Sequence, residues 1–193
     1  MAVLVFEEGS FKKYGYSELR KSYIPINEST SCFSENETTV FISHKHDELD
    51  ELSNFIAFLE KTYSVKAYID GNDSEMPSVT SGKTASNLKK RIVECDKFIL
   101  LATNAAIASK WCNWELGYGD AKKYPDNIAI LPIKPKDMSY KGNEYLELYP
   151  HITYYNGTET YNTGESIKAG YYVRKKKSNG RYSIEPLESW LKK

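Results

Sequence analysis

Between residues 38 and 134, short β-branched or apolar runs alternate with amphipathic stretches, and this rhythm constrains the fold more than any other feature of the chain. The runs are TTVFIS (38–43), VKAYID (65–70), KFILLAT (97–103) and IAILPIK (128–134), each of strand length. After the first, Leu49, Leu52, Phe55, Ile56, Leu59 and Tyr63 recur at three- and four-residue spacings, which predicts a helix. Asp47, Glu48, Asp50 and Glu51 crowd its first turn, where the helix dipole favours negative charge. Ala85, Leu88, Ile92 and Cys95 predict a second helix. The stretch 104–124 is helix-like but holds Gly117 and Gly119, each costing about 1 kcal/mol in a helix interior, so a short or broken helix is expected there. Pro132 in the fourth run points to an edge strand or a strand end.

Strands and helices in strict alternation imply right-handed crossovers and a parallel sheet covered on both faces, an α/β fold of flavodoxin-like size. The 193 residues suffice for one such domain with decorated ends. Residues 1–37 read as an N-terminal arm, with a short helix expected around YSELRKSY, and 38–138 as the core. Residues 139–193 read as a Tyr-rich C-terminal extension packed on that core. Within it, GYYVRKK and RYSIEP, separated by SNG, predict a hairpin, and ESWLKK predicts a closing helical turn.

Charge and cysteine usage exclude whole classes of function. Lys plus Arg total 26 and Asp plus Glu total 26, so no net field draws in a polyanion and no nucleic-acid partner is expected. Three cysteines without a CxxC pair, and three histidines without regular spacing, predict no metal. No stretch approaches the ~18 apolar residues of a membrane span, and the first residues lack the basic start of a signal peptide. A cytoplasmic protein with no membrane partner is expected, in which the Asn-x-Ser/Thr sequons at Asn27, Asn36, Asn72 and Asn156 are chance.

Parallel sheets of this kind bind ligands beyond the carboxyl ends of their strands, which directs attention to 43–47, 70–83 and 103–115. The second segment contains SGKT (81–84), but Pro77 stands where a phosphate loop needs its first glycine. No GxSxG elbow exists, and Ser43, His44 and Asp47 as mere sequence neighbours do not make a hydrolase triad. Trp111 and Glu115 stand four apart and would share a helix face. A flat indole beside a carboxylate suits a planar base and a ribose, with the carboxylate stabilising an oxocarbenium-like centre; a core Trp beside a solvated Glu is the plainer alternative. His44, Lys45 and His46 directly follow the first strand, as a solvated turn or as a cationic contact for a pyrophosphate. Asp70 closes the second strand, as a polar cap or as a ribose contact.

In this order and at these distances, TVFISHKHDE, AYID, LKKRIVECDKFILLAT and SKWCNWEL resemble a Toll/interleukin-1 receptor (TIR) domain, especially the bacterial ones. The likeness covers residues 37–135, and its most specific piece is Ser109–Leu116. The resemblance implies a parallel sheet of about five strands and, in catalytically active members, cleavage of the nicotinamide–ribose bond of NAD. NAD would then be a substrate, with no resident cofactor. It implies that Glu115 is the catalytic glutamate, that Trp111 walls the pocket, and that Ser43, His44, Lys45 and Asp70 contact the substrate. His44, Lys45 and His46 stand where the family often has an aromatic residue followed by arginines. The resemblance further implies self-association into a dimer or filament, with the 71–83 loop of one copy meeting the glutamate of the next. A free-standing domain with a Tyr-rich tail is similar to the TIR proteins of Thoeris-type anti-phage systems, which make a cyclic ADP-ribose isomer that reaches a separate effector. A non-catalytic TIR adaptor and a nucleoside deoxyribosyltransferase-like enzyme are the competing expectations.

Overall fold

In the computed structural model, which describes residues 5–15, 37–46, 48–69, 82–142 and 144–193, the four apolar runs are neighbouring parallel strands. A two-residue strand β1 (Phe6–Glu7) precedes them, and they form β2 (Thr39–Ser43), β3 (Lys66–Tyr68), β4 (Lys97–Ala102) and β5 (Ile128–Lys134). The chain continues through β6 (His151–Tyr155), β7 (Gly170–Lys176) and β8 (Tyr182–Pro186). All eight strands belong to one sheet in the order β3-β2-β4-β5-β6-β7-β8, with β1 pairing on β5. The strands from β3 to β6 pair in parallel, and β7 and β8 extend the sheet as the expected antiparallel hairpin. Its turn closes at Gly180, whose φ of +76° suits glycine.

Every residue of β2 and of β4 is buried, because helices cover both faces. On one face lie α1 (Leu49–Tyr63) and the short α5 (Leu187–Leu191), which bury Phe55, Phe58, Leu187 and Trp190 against Val40, Ile42, Ile99 and Leu131. On the other lie α2 (Gly82–Glu94), α3 (Asn104–Ala108) and α4 (Lys110–Lys123), which bury Leu88, Ile92 and Leu116 against Phe41, Phe98, Leu100 and Ile130. Strand residues alternate between the two clusters, the period-two signature of a sheet buried on both sides. Each such apolar side chain contributes about 1.5–3 kcal/mol on leaving water.

Two local expectations are corrected. The helix over 104–124 breaks at Ser109 rather than at its glycines, and α4 runs unbroken through Gly117 and Gly119. A β-carbon at Gly119 would stand 3.0 Å from the Phe98 ring, so the glycine lets α4 approach β4 closely, and that packing offsets its propensity cost. Pro132 lies inside a central strand, opposite Ala102 of β4. The Ile130 N–H points toward β6, bonding Pro150 O at 2.8 Å, and by the same parity a residue at 132 would donate to that side. There β6 has already parted from β5 and β1 is registered only from Ile133, so among the described residues the N–H that proline lacks has no ladder partner to lose. The helix expected around YSELRKSY lies outside the described residues.

Candidate active site

Helix α4 carries a buried stripe of Cys112, Glu115, Leu116 and Gly119, so a carboxylate occupies a position where helical periodicity would place an apolar side chain. Glu115 is 2% exposed, and a charge so buried must be held by hydrogen bonds or partner charges. Ser43, the last residue of β2, is 1% exposed, and its hydroxyl donates to Glu115 Oε2 at 2.5 Å. The carboxylate is thus fixed at the carboxyl end of the sheet, where parallel folds bind their ligands.

The start of α4 is stapled in place. Ser109 N-caps it, accepting from the Cys112 N–H at 3.3 Å. The Asn113 amide donates to Ile107 O at 2.9 Å and to Ser109 O at 2.8 Å, locking α3 to α4. The Tyr145 hydroxyl, from a 3-10 turn over Glu144–Leu148, donates to Asn113 Oδ1. These bonds set the angle at which Glu115 enters the core.

His44 follows Ser43 and is buried rather than solvated, with Nδ1 3.3 Å from Ile42 O. Its carbonyl accepts a hydrogen bond from the Cys112 thiol at 3.2 Å, so the β2–α1 loop is tied to the helix that carries Glu115. Lys45 is half-buried and its carbonyl accepts from the Glu48 N–H at 3.0 Å; His46 is exposed. Trp111 stands one turn before Glu115, half-buried, its indole stacked on Trp114 with centroids 4.9 Å apart. Trp114 stacks in turn on Tyr118, and Lys89 of α2 lies over both rings. Asp70 and residues 71–81 lie outside the described residues.

Sequence reading passed over a second polar pair at this end of the sheet. Thr103 N-caps α3, accepting from the Ala106 N–H at 3.0 Å, and its hydroxyl donates to Glu48 Oε2 at 2.5 Å. Asn104 bonds Ser139 O and the Lys141 N–H, pinning the loop after β5 beside it. The signal available for Thr103 was its place just after an apolar strand; nothing local marked Glu48 as its partner, or Cys112 and Asn113 as anchors. Among the described residues no group of three or more His, Cys, Asp or Glu side chains could hold a metal ion. None of their helices is long and apolar enough to cross a membrane.

A buried carboxylate, oriented by a hydroxyl and shielded from bulk water, is suited to stabilising a cationic centre that develops beside it. Residues 40–166 match the family model described as TIR domain. The chain belongs to the TIR domain family. A curated relative, the probable 3' cyclic ADP-D-ribose synthase ThsB' of Bacillus cereus (strain MSX-D12), is 31% identical over 162 residues, covering 81% of each chain. In this TIR domain the matched segment reaches beyond β6 into the loop before β7, while the β7–β8 hairpin and α5 follow it.

Proposed function

We propose that this TIR domain cleaves the nicotinamide–ribose bond of NAD and closes the remainder into a cyclic ADP-ribose isomer, a second messenger for bacterial anti-phage defence. The buried Glu115 carboxylate, fixed by Ser43 at the mouth of the sheet, carries this reading. The name of the relative, a probable cyclic ADP-D-ribose synthase, supports the product class. In the reaction, the bond between the ribose anomeric carbon and the nicotinamide nitrogen breaks, and its electron pair leaves with neutral nicotinamide. The Glu115 carboxylate stabilises the oxocarbenium-like ribose and holds its hydroxyls. A hydroxyl of the same molecule then attacks the anomeric carbon and loses its proton, or an adenine ring nitrogen attacks and the exocyclic amine gives up the proton. The product has the mass of ADP-ribose less one water, and water must be kept out for this path to win.

Trp111 walls the pocket, and Ser43, His44, Lys45 and Asp70 contact the substrate. Two copies complete the site, the 71–83 loop of one meeting Glu115 of the next in a dimer or filament, and the product acts on a separate effector. Work in the cytoplasm, where NAD is abundant, fits this role. A non-catalytic adaptor has no use for a carboxylate whose burial must be compensated, which disfavours that alternative. The test is to incubate purified protein with NAD at low and high protein concentration and to resolve the products by liquid chromatography with mass detection. Nicotinamide plus a product one water lighter than ADP-ribose is expected, with specific activity rising with protein concentration. ADP-ribose alone would make the protein a hydrolase, and intact NAD under all conditions, phage-infected lysate included, would leave the adaptor.

A further inference from the structure

The β6–β7–β8 end of the sheet carries a cleft that the proposed catalytic centre does not use. Its lining comprises Glu147, Tyr149, His151, Thr153, Arg174, Lys176 and Tyr182. The register explains the cluster. His151 of β6 lies opposite Arg174 of β7, and Lys176 lies opposite Tyr182 of β8, so these alternate residues point to one face. That face is the α4 side, because one ladder row runs from Ser43 through Leu100 and Ile130 to His151. Three strand spacings, about 14 Å, therefore separate the cleft from Ser43.

Three features mark it as a built site. Arg174 is only 5% exposed, and its guanidinium carbon lies 3.6 Å from the centroid of the Tyr182 ring, which fixes the side chain in place. Stacking of this kind uses the face of the guanidinium, while its N–H donors lie in its plane. Thr153 is 1% exposed, yet among the described residues its hydroxyl has no hydrogen-bond partner, a buried polar group that a ligand or water would complete. Lys176 adds an exposed cation to the lining. Glu147 is exposed, where water screens its charge, and burial holds His151 neutral, so the cleft keeps a positive balance centred on a buried arginine.

We propose that this cleft binds a phosphoryl anion, the phosphate or diphosphate group of a small ligand, through Arg174, Lys176 and the Thr153 hydroxyl. A planar, multi-donor guanidinium, a flexible ammonium and a neutral hydroxyl together match the several acceptor oxygens of such a group. The aromatic rings of Tyr149 and Tyr182 flank the place where the rest of the ligand would lie.

The proposal is tested with inorganic pyrophosphate as the probe, at constant ionic strength, by thermal unfolding and calorimetric titration of the full chain. A saturating rise in Tm of roughly 5 to 10 °C is expected once pyrophosphate exceeds its Kd about 100-fold. Thr153→Val keeps the side-chain shape and removes a hydroxyl that bonds none of the described residues, so it should fold with an unchanged or higher Tm and bind at least tenfold more weakly. Lys176→Gln, at an exposed position, should also fold and bind more weakly. No saturating shift in the native protein, or an equal shift in both variants, overturns the site. An equal shift from malonate overturns the phosphoryl assignment. Because the readout is binding, loss of the NAD-cleavage reading would leave this result standing.

Discussion

The Ser43 hydroxyl meets the Glu115 carboxylate at 2.5 Å across a sequence separation of 72 residues, joining the end of β2 to the middle of α4. Neither side chain is in contact with bulk water. A carboxylate that donors orient in a dry setting does not have to reorganise as charge develops beside it, and this is the main source of electrostatic catalysis. The bond therefore prepares the proposed chemistry as well as satisfying a buried group.

Ser43→Ala removes that donor while leaving the strand intact. A hydrogen bond to a charged group is worth about 1.5–3 kcal/mol, so kcat for NAD cleavage should fall roughly tenfold to a hundredfold. Ser43→Thr, which retains the hydroxyl, should recover part of the loss. Steady-state kinetics on the two variants check this, and wild-type turnover in Ser43→Ala would show the bond to be structural only.

Glu115→Gln preserves shape and replaces the charge. Nicotinamide release should drop at least ~10²-fold with a Tm close to that of the native protein. Activity within about tenfold of native would remove Glu115 from the mechanism.

Trp111 is stacked on Trp114 and half-buried, so its role in the pocket must be separated from its role in packing. Trp111→Ala should cost about 2 kcal/mol of stability and lower turnover. Trp111→Phe should keep most of the stability, and a matched fall in kcat/KM for both variants, read beside Tm, would place the indole against the substrate.

His151 makes stability depend on pH. Burial, helped by the nearby Arg174 cation, pushes its pKa down from 6.5 to about 4. The unfolded chain therefore binds this proton more readily than the folded one. The stability associated with neutral His151 is fully present above pH 6.5 and is lost as pH falls to about 4, a change of about 3 kcal/mol. Denaturant unfolding of the native protein and His151→Gln across that window should show a shallower pH dependence in the variant. Parallel curves would mean that other groups govern the acid limb.

The strands were legible because β2, β4 and β5 are covered on both faces and so read as continuous apolar runs. Helix α1 was legible from its periodic stripe. The continuity of α4 was not, because the glycine penalty is local while the gain from placing Gly119 against Phe98 belongs to the tertiary structure. Glu115 could be singled out from its spacing to Trp111 and from the SKWCNWEL motif. Its pairing with Ser43, the Cys112–His44 bond and the Tyr145–Asn113 brace join distant segments, and no local pattern in the sequence encodes them.

The short strand β1 has a practical consequence. Its pairing with Ile133 and Lys134 occupies the flank of β5 beyond the point where β6 leaves, and near the other terminus the Trp190 indole donates to Asp126 O at 2.7 Å. Both β1 and α5 are thus sewn into the fabric of the domain. Trimming to the family-matched segment would bare a sheet edge able to recruit foreign strands. A fluorescent reporter or affinity handle is better spliced into the exposed turn at Ser178–Gly180, which holds no part of the core and would leave both seams closed.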